Sequence, residues 1–212
     1  MMEENGLVLD YLPSGRSDDI RREPVAYIIG EKYFTLLEAV IKRDLELSAG
    51  DRIYIGKDIA MRKEVERIKG RTTYAELTVS AKNELKGVIQ QIVHSREQEF
   101  VDFFNKCGPI TIRQHQLELL PGIGKKHLEE ILTERDKKKF ESFKDISSRI
   151  AHLQNPEEIV AQRIIEELIG SRYYIFTRPP SLHPPGHGEY GHGGYGGGYG
   201  HERDQGRGGY RY

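Results

Sequence analysis

One cysteine, no tryptophan and three methionines stand among 212 residues. A single thiol, Cys107, excludes an intrachain disulfide framework and a cysteine-built metal cluster. It also fits a reducing compartment, so a cytoplasmic setting is expected. No run of about 18 apolar residues occurs, which leaves no candidate for a membrane-spanning helix. The opening Met1-Met2-Glu3-Glu4-Asn5 is acidic and short, unlike a signal peptide. Net charge is almost absent: 32 Lys and Arg against 33 Asp and Glu give −1. Any surface for a polyanion must therefore be a local patch and not a global field. Catalytic signatures are missing too, with no Gly-x-x-x-x-Gly-Lys-Ser/Thr, no Gly-x-Ser-x-Gly and no His-Glu-x-x-His. The chain reads as non-catalytic, with no cofactor and no metal site.

What is present centres on Leu117-Glu118-Leu119-Leu120-Pro121-Gly122-Ile123-Gly124-Lys125-Lys126, followed by Leu128, Ile131 and Leu132. This run predicts a short helix, a tight Gly-x-Gly turn and a second helix opening with two lysines. Such a turn leaves backbone N–H groups unpaired at a helix N-terminus, where the positive end of the helix dipole also lies. The combination suits phosphate. Glycines at 122 and 124 permit unusual dihedrals and close approach, and Lys125 and Lys126 add counter-charge. Gly122, Ile123, Gly124, Lys125 and Lys126 are the candidate nucleic-acid contacts, and nothing in the turn reads a base. The segment resembles the helix-hairpin-helix family, with Leu128 where that pattern carries a small alanine. DNA glycosylases built on such a hairpin need a downstream catalytic aspartate in a particular loop; Asp136 and Asp145 do not sit in that setting.

Composition divides the chain into zones. Residues 5–79 hold short runs rich in β-branched and aromatic residues, predicting strands at Leu7–Tyr11, Val25–Ile29, Tyr33–Val40, Arg52–Ile55 and Thr72–Leu77, with a further piece at Val65–Ile68. Turn chemistry separates them at Pro13-Ser14-Gly15, Gly30-Glu31-Lys32 and Ala49-Gly50-Asp51. About five short strands fit a small closed OB-like β-barrel, with an SH3-like barrel as competitor. Tyr33, Tyr54, Arg62 and Lys63 are candidate secondary contacts on it. Residues 80–108 turn helical, with Leu85, Val88, Ile89, Ile92 and Val93 on one face and Phe100, Val101, Phe103 and Phe104 in a second cluster. These connecting helices should end by Gly108-Pro109.

Residues 109–178 contain an internal echo. Leu120–Gly124 aligns without gaps on Leu153–Glu157, which places Leu128 on Ala161, Ile131 on Ile164 and Leu132 on Ile165. Asn155 as N-cap and Pro156 at the first helical position mark the second helix start. Glu134–Phe143 is the predicted connecting helix, with Phe140 and Phe143 inward, and Tyr173–Thr177 a candidate final strand. Two hairpins and a linker resemble the tandem helix-hairpin-helix domain. The copies differ where it matters: Gly124 and Lys125 in the first become Glu157 and Glu158 in the second, so phosphate contact is assigned to the first alone. Lys137, Lys138 and Lys139 could extend the basic surface.

Residues 179–212 carry about half of the 23 glycines and almost no aliphatic side chains, so a disordered low-complexity tail is expected. Its Arg207-Gly208-Gly209 and Arg211 resemble the tails of RNA-binding proteins, where Arg meets phosphate and Tyr stacks on bases. His183, His187, His192 and His201 could scavenge a metal ion but build no defined site. The order barrel, long helix, tandem hairpins, an α+β multidomain architecture, resembles an archaeal family of uncharacterised proteins regarded as RNA-binding with an OB-like domain. That resemblance implies a non-catalytic partner of RNA, structured ribosomal or transfer RNA above all, with no membrane association. Two alternatives are a duplex-DNA accessory of repair or recombination, and a protein-interaction scaffold.

Overall fold

In the computed structural model, which describes residues 3–16 and 21–179, the first half of the chain builds one antiparallel sheet. Its strands are β1 (Asn5–Leu12), β2 (Val25–Gly30), β3 (Leu36–Ile41), β4 (Arg52–Tyr54) and β5 (Val65–Arg71), in the spatial order β4-β1-β2-β3-β5. Central β2 is buried at every position, as its run Val-Ala-Tyr-Ile-Ile, apolar on both faces, requires. Alternation sorts the side chains: Leu7, Tyr27, Ile29 and Leu36 face the helices, while Val8, Ala26, Ile28, Ala39, Ile41, Ile53 and Val65 form a second cluster on the other face. Register shifts between Val8 and Asp10 in β1, and at two places between β3 and β5, bend the sheet. It curls into a half-barrel. The closure expected from the strand count is not reached, because β4 spans only three residues and β4 and β5 remain the two edges.

Two strand expectations in this half need correction. The third strand starts at Leu36 and not at Tyr33. The Glu3 carboxylate accepts the N–H groups of Lys32, Tyr33 and Thr35 (3.0, 3.0 and 3.2 Å), and Phe34 turns with φ +54°. Thr72–Leu77 is not a strand: Tyr74–Glu76 is a 3₁₀ turn held by a Thr73/Glu76 capping box. Val65–Ile68, the additional piece, is the core of β5.

Helix α1 (Val79–Ser95) starts at Thr78, whose hydroxyl accepts the Ala81 N–H at 3.0 Å. It buries Ala81, Leu85, Val88, Ile89, Ile92 and Val93 against β1 and the last helix. Each of the Leu, Val and Ile side chains contributes about 1.5–3 kcal/mol. At Arg96 the chain breaks into α2 (Glu97–Lys106), which sends Phe100, Val101 and Phe104 into the same core. A small hairpin of β6 (Pro109–Thr111) and β7 (Gln114–His115), not foreseen, then leads into a 3₁₀ turn at Gln116–Leu119. Helices α3 (Lys125–Lys137), α4 (Phe143–Arg149) and α5 (Pro156–Ile169) complete the described residues. One apolar cluster runs from Leu7 of the sheet to Ile164 of α5 without a break.

The predicted connecting helix over Glu134–Phe143 does not form. Helix α3 ends at Lys137, and Lys138 is extended. Side chains take over the backbone there: Asn105 bonds both the N–H and the C=O of Phe140 (2.8 and 2.9 Å), and Arg149 donates to the carbonyls of Glu134 and Lys138 (2.6 and 2.8 Å). Ser142 then caps α4 through the Asp145 N–H. Phe140 and Phe143 are inward as expected, 2% and 5% exposed. Nor is Tyr173–Thr177 a strand. The buried Glu167 carboxylate accepts the N–H groups of Ile175, Phe176 and Thr177 (2.9, 3.1 and 2.8 Å), which takes these three from a sheet edge. The expected tail lies, from residue 180 on, outside the described residues.

Candidate functional site

Between the 3₁₀ turn and α3 the chain reverses in five residues. Leu120 and Ile123 are buried and pin the loop at its ends, with the Ile123 N–H donating to the Leu120 carbonyl (3.1 Å). Gly122 between them has φ +80°, where a Cβ would cost about 1–2 kcal/mol. His127, one turn into α3, places Nδ1 3.0 Å from the Gly122 carbonyl and holds that oxygen inward. The N–H groups of Gly122, Gly124, Lys125, Lys126 and His127 have no acceptor among the described residues. No non-neighbouring atom lies within 4 Å of where a Cβ would stand on Gly122 or Gly124. Both glycine positions are therefore open where a side chain would begin. Lys125 and Lys126 are exposed and carry no ion pair among the described residues, whereas Lys137 and Lys138 are tied to Glu134 and Glu141. Of the five sequence candidates, Gly122, Gly124, Lys125 and Lys126 share this surface, while the Ile123 side chain anchors it from below.

The echo has a geometric counterpart. Asn155, aligned on Gly122, also takes positive φ, +50°. The Leu120 N–H donates to Leu117 (3.0 Å) and the Leu153 N–H to Ile150 (3.3 Å), the same bond 33 residues later. Ile131 and Ile164 are both fully buried, and Leu128 is half-buried where Ala161 is buried. Glu130 of α3 ties that helix to the second turn by accepting the Ala151 N–H (2.8 Å). Asn155 is the N-cap of α5, though its side chain makes no capping bond, and Pro156 follows at the first helical position. Charge separates the copies. The first turn of α5 carries Glu157 and Glu158, which complement a helix N-terminus; the first turn of α3 carries lysines, which oppose it.

On the half-barrel, the candidates split. The Tyr54 ring lies on Gly56, the Arg62 Nε donates to the Gly56 carbonyl (2.9 Å), and Lys42 Nζ reaches the Arg62 carbonyl (2.5 Å), with exposed Lys63 next in the chain. Tyr54, Arg62 and Lys63 thus belong to one group beyond β4. Tyr33 is elsewhere, in the β2–β3 turn, with the Arg178 guanidinium 4.3 Å from its ring centre. Arg207 and Arg211 and the tail histidines fall outside the described residues. His127 and Glu130 were not singled out in the sequence: His127 turns back onto the loop before its helix and Glu130 reaches Ala151, 21 residues on, and neither contact has a spacing signature.

Elsewhere, burial pushes the Cys107 thiol up to about 11, so it stays protonated at neutral pH. Burial, aided by the nearby Arg135 guanidinium, lowers the His115 imidazole below its usual range. No helix among the described residues is long and apolar enough to cross a membrane.

Comparison with known proteins places this architecture. The protein MJ0038 of Methanocaldococcus jannaschii, described as uncharacterised, is 43% identical over 179 residues, which is 83% of this chain and 80% of that one. The crystal structure of Af1531 from Archaeoglobus fulgidus matches with a TM-score of 0.78 at 46% identity, covering 83% of this chain and all of that one. The family described as a protein of unknown function (DUF655) matches residues 2–178. With its half-barrel, its α1 spine and its glycine turn all inside that span, the chain belongs to the DUF655 family.

Proposed function

We propose that this protein is a non-catalytic nucleic-acid-binding protein that grips the phosphate backbone through the Leu120–Lys126 turn, with RNA as its polymer. One observation carries the reading: the start of α3 is built against its own stability. Two lysines oppose the helix dipole at about 0.3–1 kcal/mol each, Gly124 provides no side-chain cap, and five N–H groups are left without acceptors. Local rules broken together at one exposed spot point to a ligand that repairs them. A phosphate group does so, because it accepts the free N–H groups and neutralises both lysines.

The two turns related by 33 residues support a tandem helix-hairpin-helix arrangement in which the second copy, with its glutamates, is structural. Tyr54, Arg62 and Lys63 on an OB-like half-barrel would add stacking and charge for a less regular strand, and Arg207 and Arg211 would extend the contact. That combination favours structured RNA, such as ribosomal or transfer RNA, over duplex DNA, and a cytoplasmic setting.

Fluorescence anisotropy on the full chain, with matched single-stranded RNA, duplex RNA and duplex DNA, tests this. The Lys125→Glu, Lys126→Glu variant should lose at least tenfold in affinity for every polymer, since each reversed contact forfeits a charge-assisted bond of about 1.5–3 kcal/mol. Unchanged affinity in that variant would remove the assignment, and preference for duplex DNA would move it to the alternative polymer.

A further inference from the structure

The tip of the β6–β7 hairpin breaks another local rule. Pro109 pairs with His115 and Thr111 with Gln114, so Ile112 and Arg113 form the two-residue tip. Turn positions of this kind favour Gly, Asn, Asp or Ser. Here an isoleucine is 105% exposed, the most exposed of the large apolar side chains among the described residues, ahead of Val79 at 75% and Ile59 at 72%. Beside it the Arg113 side chain is exposed and makes no hydrogen bond or ion pair among the described residues.

The tip is firmly mounted. At its base the Gln116 N–H donates to the Gly108 carbonyl (3.0 Å), and Arg135 Nη1 donates to the carbonyls of Cys107 and Phe104 (2.9 and 3.1 Å). Buried His115 accepts the Leu117 N–H at Nδ1 (3.1 Å), locking β7 onto the 3₁₀ turn that leads into the glycine loop. Ile112 and Gly122 are ten residues apart in the chain, so their separation is at most about 34 Å, roughly one turn of a duplex. From Gly108 to Leu128 the cations are Arg113, Lys125 and Lys126, and the one carboxylate, Glu118, is occupied by the His115 N–H (2.7 Å). In a chain with balanced charge overall, this stretch carries a net charge of +2, with Glu129 and Glu130 next in sequence.

We propose that the hairpin tip is a wedge for the same nucleic acid: Ile112 packs against an unstacked or bulged base while Arg113 meets the adjoining phosphate. The inference rests on the backbone grip proposed above and adds to it a preference for irregular over fully paired strands. An apolar side chain pushed between bases replaces stacking that a regular duplex would have to give up. A bulge has already given it up, so the wedge favours bulged RNA.

The chain has no tryptophan, so Ile112→Trp creates a single reporter at the tip. The experiment titrates the full-length Ile112→Trp protein with an RNA hairpin carrying one bulged nucleotide and with its fully paired counterpart, reading tryptophan emission and anisotropy together. Emission should be quenched with the same midpoint as the anisotropy, and more strongly by the bulged RNA. In parallel, Ile112→Ser, a residue suited to a turn, should weaken binding of the bulged RNA by about tenfold, the equivalent of leaving half an isoleucine unburied. Its salt dependence should stay that of the wild type. Unchanged emission while anisotropy reports binding overturns the wedge and leaves the grip standing; it would be the outcome if Ile112 instead faced a protein partner. Absence of any RNA binding by the wild-type chain overturns both.

Discussion

Replacing Gly124 by alanine separates two reasons for a glycine in the turn proposed to grip phosphate. Its φ and ψ are −93° and −175°, extended backbone that any residue adopts. No non-neighbouring atom lies within 4 Å of an added Cβ. Folding therefore needs no glycine here. As an N-cap, alanine is worse than glycine by about 0.5–1 kcal/mol, while restricting the unfolded chain returns about 0.4–1 kcal/mol. The two nearly cancel, so Tm should move by less than about 3 °C for a chain of this size. Binding should respond differently, since under the proposed grip the methyl group would stand in the open space through which a phosphate approaches the N–H groups of Gly124 and Lys125. Losing one charge-assisted bond of about 1.5–3 kcal/mol corresponds to a tenfold or larger rise in Kd. Thermal unfolding followed by anisotropy on the same preparation reads both quantities. Wild-type affinity with wild-type Tm would refute the idea that these donors meet phosphate; a large loss of Tm would mean that the fold itself requires this glycine.

Three further outcomes follow from the packing. Asn105→Ala should destabilise by about 2–4 kcal/mol, because it strands both backbone groups of Phe140 in a buried position; urea unfolding checks this, and a change below 1 kcal/mol would mean water replaces the side chain. Glu167→Ala leaves Arg163 (7% exposed) without its buried partner and should cost about 3–5 kcal/mol, with residues 171–177 becoming sensitive to limited proteolysis; unchanged protection would show that Phe176 packing alone holds the segment. The lowered His115 imidazole sets a pH dependence: above about 6.5 the ring is neutral in both states, and as pH falls the unfolded chain takes up the proton first. Stability should thus decline from about pH 6.5 down through the folded-state value, then level. A His115→Gln variant should flatten that decline, and the same slope in variant and wild type would assign it to other groups.

Much of the fold could be read from local pattern, and most of the differences share one cause. Val25–Ile29 and Leu7–Tyr11 declared themselves as short apolar runs bounded by turn signals, and the α1 face by its period of 3.6. The glycine turn was legible because Leu-Pro-Gly-Ile-Gly combines a buried anchor, a positive φ and a helix start in adjacent residues. The misplaced elements are those whose backbone groups are claimed by distant side chains. Glu3 delays β3, Asn105 and Arg149 interrupt the run after Lys137, and Glu167 keeps 173–177 from pairing. These partners lie from 8 to 35 residues away, beyond the reach of a local pattern. The turn at Tyr74–Glu76 is another matter, since Thr73-x-x-Glu76 is a capping signature that apolar content concealed. For the candidate site, the unpaired donors and lysines followed from the motif, whereas His127 and Glu130, and the hairpin carrying Ile112, depend on how the loop sits against its neighbours.

The most direct test of the account is the slope of log K against log salt concentration for the full chain on RNA, measured for the wild type and for Lys125→Gln, Lys126→Gln. If both lysines lie on phosphates, the variant's slope should be shallower by about 1.4 on a single strand or about 1.8 on a duplex. Parallel slopes in the two proteins, or no binding by the wild type, would contradict the phosphate grip at the start of α3.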